Sequence, residues 1–168
     1  YLKVISEYLK VISEYMKVIS EYLKVESILL YGCETWTINK ATEKMIDGTY
    51  TRMLRVACNI SWREHITNEE LYGSLPKLST KIRERRMKLA GHCIRHHEEE
   101  TSKLVLWQPH SGHTGRGRRK LTYVDTLCDD TGLENPEELY TIMMDRERWR
   151  DRIHDAVRVR GGAQTRPR

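Results

Sequence analysis

The chain lacks the features that would place it in several large classes. Its apolar stretches are interrupted by Lys or Glu every few residues, far short of the roughly 20 apolar residues a membrane-crossing helix needs. No charged-then-apolar leader is visible, and a chain that starts at Tyr1 reads as a fragment. Its four cysteines, Cys33, Cys58, Cys93 and Cys128, lie 25 to 35 residues apart with no paired spacing. That excludes a disulfide framework and points to reduced thiols in an intracellular protein, cytoplasmic or nuclear.

Cofactor and catalytic patterns are equally scarce. Gly115 and Gly117 have neither a preceding strand nor a following Gly-Lys-Ser/Thr, so they form no phosphate loop. Cys93-x2-His96 and His110-x2-His113 supply zinc-ligand residue types. Their inner spacing is odd, however, and the second pair sits in a glycine-rich stretch. Asp129-Asp130 has the look of a polymerase metal pair, but the segment reads as a helix and no third carboxylate is recognisable. No Ser/His/Asp or Cys/His arrangement can be argued. The expectation is therefore a non-enzyme with no cofactor and no metal.

What the chain does have is a repeat, a basic middle and strong helix signals. The unit YLKVISE runs three times and begins a fourth before breaking at Glu26. Leu2, Ile5, Leu9, Ile12, Met16, Ile19 and Leu23 alternate in steps of three and four, the spacing of a helical heptad seam. Lys, Ser and Glu share the other side of the helix. About 25 residues would form a rod of roughly 37 Å. Near-identity of the copies favours a duplication that lengthened an amphipathic helix, although the exposed seam could also drive homo-oligomerisation.

Charge is distributed unevenly. The net charge of +5 conceals +8 over residues 77–120 beside −6 over 121–144, which suggests a localised phosphate-binding face next to an acidic helix.

Caps and breakers divide the rest. Asn39 is placed to cap a helix to about Cys58, with Met45, Thr49, Met53, Val56 and Ile60 along one side. Thr67 and Glu70 form a capping box for a short helix ending at Gly73. Pro76 opens a helix to about His97, and Asn135-Pro136 opens a last one carrying Leu139, Ile142, Met143, Trp149, Ile153 and Val157 on one face. Arg146 falls in the middle of that apolar face, with Asp125 and Asp129 as candidate partners. Only Ile28 to Trp36 has the look of extended chain. The expected fold is all-α. It comprises a long amphipathic helix over 1–30, a helical thumb-like bundle over 31–107, a basic Gly-rich linker over 108–120, a C-terminal helical segment over 121–160 and a disordered tail over 161–168.

The candidate binding residues lie in two places. Lys77, Lys81, Arg85, Lys88, His92 and Arg95 are spaced 4, 4, 3, 4 and 3, within an arc of about 80° on a helix. Leu78, Ile82, Leu89 and Cys93 fall on the adjacent side. The stripe itself contains no acid, and a row of like charges is mildly destabilising unless a polyanion neutralises it. Arg116, Arg118, Arg119 and Lys120 follow on a glycine-rich backbone that can lie along a groove. Nothing in either stretch reads bases, and aromatics are too few for a stacking platform. Binding would be non-specific, with a salt slope near −4 to −5 for about five neutralised phosphates.

Five stretches in order resemble one family: VESILLYGCETWT (Val25 to Thr37), RMLRVACNISWREHITNEELYG (Arg52 to Gly73), KIRERRMKLAGHCIRH (Lys81 to His96), GRRKLTYVDTL (Gly117 to Leu127) and DRERWRDRI (Asp145 to Ile153). Together they resemble the C-terminal region of the reverse transcriptases of non-LTR (LINE-type) retrotransposons, over about residues 25–155. The resemblance implies a helical thumb and basic connector that grip a template–primer duplex, without the endonuclease, fingers and palm. Lys81, Arg83, Arg85, Arg86 and Lys88 match the family's basic run before its Gly-His, here Gly91-His92. Gly117, Arg118, Thr122, Tyr123 and Asp125 match its Gly-Arg-Pro-x-x-Thr-aromatic-x-Asp pattern, with Arg119 in place of the proline. Asp145, Arg146, Trp149 and Arg150 match Asp-Arg-x-x-Trp-Arg. The implied partner is an RNA–DNA or DNA duplex, with no membrane. The alternatives are a homo-oligomer formed through residues 1–30, or a relic without a selected role.

Overall fold

The computed structural model describes residues 20, 23–24, 26–73, 75–96, 98, 100–108 and 121–161. Among them all regular structure is helical, so the all-α expectation holds. All but Ser20 of the first three repeats, most of the basic linker and the tail from 162 lie outside the described residues.

Local signals set most boundaries. Helix α1 (Lys40–Ala57) starts where the Asn39 side chain accepts the Thr42 N–H. Helix α2 (Asn68–Tyr72) carries the reciprocal box between Thr67 and Glu70 and ends at Gly73. The central helix α3 (Leu78–Arg95) follows, and α4 (Glu100–Val105) is a short turn after it. A second reciprocal box, Thr122 with Asp125, opens α5 (Tyr123–Thr131), which stops at Gly132 with φ +71°. Gly132 suits that stop because a side chain is strained at positive φ. Helix α6 (Pro136–Met144) begins with Asn135 and Pro136 as the sequence implies.

Three expectations fail, the third being the side of α1 that is buried. The last helix is not continuous: Asp145 is extended (ψ 110°), and its carboxylate accepts the Glu147 and Arg148 N–H groups, so it starts a new helix, α7 (Arg146–Gly161). Arg146 consequently sits exposed in a first turn rather than in an apolar face. Residues 28–36 are not extended either. They finish a helical turn and form a 3-10 turn over Cys33–Thr35.

Helix α3 is the spine. Its first half packs Leu78 and Ile82 with Tyr50 and Leu54 of α1 and with Leu30 and Cys33. Its second half packs Met87, Ala90 and Ile94 with Val105, Val124, Leu127, Leu139, Met143, Trp149, Ile153 and Ala156. One helix thus serves two apolar clusters, and residues before and after the basic linker share the second.

Helix α1 turns the other way from the simplest reading. Tyr50 and Leu54 are inside, while Met45, Met53 and Val56 face solvent. Ile46, Tyr50 and Leu54 form a second apolar line at i+4 spacing. That line wins because Glu43 and Asp47, beside it, find partners on α3: Arg83 at 2.9 Å and the Ser79 N–H at 2.9 Å.

Candidate nucleic-acid interface

The cationic stripe of α3 lies opposite the helix's buried side, as its spacing requires, but its members differ in how far they are committed. Lys77, at the N-cap position, and His92 are exposed. Lys88 is exposed and reaches back one turn to Glu84 at 2.6 Å. Arg85 is about half exposed, donates to the Leu30 carbonyl at 3.3 Å and lies 3.6 Å from Glu34. Lys81 is largely covered and bonded to Glu26 at 2.6 Å. Arg95 donates to the Met143 carbonyl at 2.9 Å and thereby ties α3 to the end of α6. The stripe holds no acid of its own, yet Glu26, Glu34 and Glu84 come to it from outside the row. Arg116, Arg118, Arg119 and Lys120 lie outside the described residues.

Two arginines of the same run are not at the surface at all. Arg83 Nε donates to Asp130 Oδ1 at 2.8 Å, and Arg86 donates to Asp130 Oδ2 from Nε (2.9 Å) and Nη2 (2.6 Å). All three side chains are more than nine-tenths buried. Arg83 also holds Glu43, and Arg86 Nη1 donates to the Trp36 carbonyl at 2.7 Å. Buried charge is tolerated only when paired and hydrogen-bonded, and here every donor of consequence has an acceptor. Sequence reasoning overlooked Asp130 in this role. A signal existed: Arg83 and Arg86 share an arc with Ala90 and Ile94, the side that α3 buries. Of the aspartate pair, Asp130 closes this internal bridge while Asp129 faces outward.

The other resembling motifs converge on the same helix. Tyr123 sends its hydroxyl to the Glu34 carbonyl at 2.9 Å and toward the Arg86 carbonyl at 3.4 Å. Burial, opposed by the Arg86 charge, pushes its phenol well above the ordinary value of 10.0. Trp149 is buried and donates its indole N–H to the Met87 carbonyl at 2.9 Å. Gly91 makes room for that ring: a Cβ there would fall inside the indole.

Two of the thiols are held in environments that disfavour the thiolate. All four cysteines are free. Burial raises Cys33, and burial together with Asp125 and Asp129 raises Cys128, which lowers thiolate content at neutral pH. Among the described residues no three His, Cys, Asp or Glu side chains are gathered to hold a metal; His110 and His113 lie outside them. An open groove past the end of α1 is lined by Cys58, Ile60, Glu64, His65, Ile66, Glu70 and Leu71. Its two carboxylates are already engaged in capping boxes. No described helix is long and apolar enough to cross a membrane.

No family model, no curated protein and no solved structure matches the chain.

Proposed function

We propose that this chain is a non-catalytic piece of a non-LTR retroelement reverse transcriptase, of thumb-and-connector type, that binds nucleic-acid backbone weakly and without sequence preference. The observation that carries the family side of this reading is the convergence of the resembling motifs. Lys81–His96, Thr122–Leu127 and Asp145–Ile153 meet in one packed unit through Tyr123, Trp149 and Gly91. Motifs far apart in sequence that close on one another are what a thumb module would contain.

The binding side rests on a smaller footprint than spacing alone implies. Arg83 and Arg86 are structural, and Lys81 and Arg95 are tied into the fold. Lys77, Arg85, Lys88 and His92 remain accessible along α3. The Lys88–Glu84 and Arg85–Glu34 pairs are surface pairs, worth about 0–1 kcal/mol, so a phosphate can displace their carboxylates.

Titration of a duplex against salt tests it. The three accessible cations of α3, Lys77, Arg85 and Lys88, imply a log–log slope of at least about −3 for the full chain. The Arg85→Glu/Lys88→Glu double variant should flatten that slope by about 2. A slope indistinguishable from zero, or no binding at about 50 mM salt, overturns the reading.

A second reading has one observation in its favour. Leu23, in the heptad seam, is 57% exposed, while Leu30 is buried in the first cluster. Leu23 is therefore not covered by the bundle, and on this reading residues 1–30 pair copies of the chain. Sedimentation of the full chain against one starting at Val25 decides this: equal masses remove it.

A further inference from the structure

Two helices present apolar lines to solvent, and the charges around those lines have opposite signs. On α1 the line is Met45, Thr49, Met53 and Val56, with Met45 71% and Val56 81% exposed. Steps of four, four and three keep it on one face. The charged residues on this side are Lys44 and Arg52, both exposed and neither paired with a carboxylate among the described residues. The only acids of the helix, Glu43 and Asp47, are turned inward to Arg83 and Ser79. The outer face of α1 is thus apolar and purely cationic.

Helix α6 is the reverse. Its outward line is Glu137, Tyr140 and Met144, with the last two 43% and 42% exposed and Glu138 exposed beside them. Residues 121–144 contain six acids and no Lys or Arg. Each helix buries its other side against α3, α1 on the first half and α6 on the second. Both lines therefore point away from the spine.

We infer that a second copy of this chain lays the Glu137–Tyr140–Met144 face of its α6 along the Met45–Arg52–Val56 face of α1, so that the protein associates head to tail. Complementary charge assigns the occupant: the exposed charged side chains of α1 are all cations and those of α6 itself are all acids, with Arg146 and Arg148 following only at the start of α7. Two different surfaces meet, so the contact is heterologous and does not close on itself as a two-fold dimer does. Each face offers only a few side chains, well below a standard interface, so association is weak and screened by salt. This surface is separate from the α3 stripe, and the duplex titration bears on neither face.

Sedimentation velocity on the full chain over a concentration series at low salt is the test. The weight-average mass should rise with concentration, and the rise should shrink as salt is added. Full-chain Lys44→Glu/Arg52→Glu should lose that rise, and so should full-chain Glu137→Lys/Glu138→Lys. An equimolar mixture of the two variants should regain it, because the reversed α1 of one now matches the reversed α6 of the other. Restoration on mixing also shows that neither variant had simply unfolded. A salt-independent mass, a rise that survives in either variant, or a mixture that stays unassociated overturns the inference.

Discussion

At the scale of single residues, two positions hold more than their neighbours. Asp130 neutralises two buried guanidiniums at once. Asp130→Ala would leave Arg86 without a carboxylate and Arg83 with Glu43 alone, and removing one partner of a buried ionic group costs about 3–5 kcal/mol; urea unfolding should show that loss. Gly91 holds the place of the Trp149 indole. Gly91→Ala forces the ring from its bond to Met87, and overpacking of this kind costs about 1–3 kcal/mol, read as a lower melting temperature. Tyr123 sets the alkaline limit. Its phenol is raised in the folded chain, so the folded state keeps its proton longer than the unfolded state does. Its contribution is full below the unfolded value, near 10, and is lost as pH rises through the raised folded value. Denaturant midpoints should fall above about pH 10, and Tyr123→Phe should remove part of that fall.

Among the elements, caps govern boundaries and α3 governs assembly. Thr122 accepts the Asp125 N–H at 3.1 Å, while Asp125 returns a bond to the Thr122 N–H at 2.9 Å. Thr122→Ala should cost about 1 kcal/mol and loosen the helix that carries Asp130, which hydrogen exchange in α5 would report. The caps at Asn39, Thr67 and Asn135 could be read from the chain because each acts within three residues. Asp145 was harder. In helical periodicity it looks like one more exposed position between Met143 and Trp149, and only its extended backbone reveals a cap. Helix α1 shows a different limit. It has two apolar lines, Met45–Met53–Val56 and Ile46–Tyr50–Leu54, and periodicity alone does not rank them.

For the whole molecule, the organising fact is a spine helix with ten buried positions, five of them in the two apolar clusters. Charge segregation along the sequence, +8 beside −6, turns partly into internal pairing, Asp130 with Arg83 and Arg86. The remainder stays on the surface, as the open cations of α3 and the acidic edge of α6; α1 adds a cationic edge of its own. The duplex salt slope and the charge-swap sedimentation read these surfaces separately.

The sequence by itself determined the helical class, most caps and stops, and the angular placement of the α3 stripe, because these depend on hydrogen bonds and periodicities spanning three or four residues. Which cations stay free, which side of α1 is core, and the role of Asp130 were decided only by tertiary structure. The reason is physical: Arg83 and Arg86 meet their carboxylate across 44 to 47 residues of chain, and no local pattern encodes which acid will arrive.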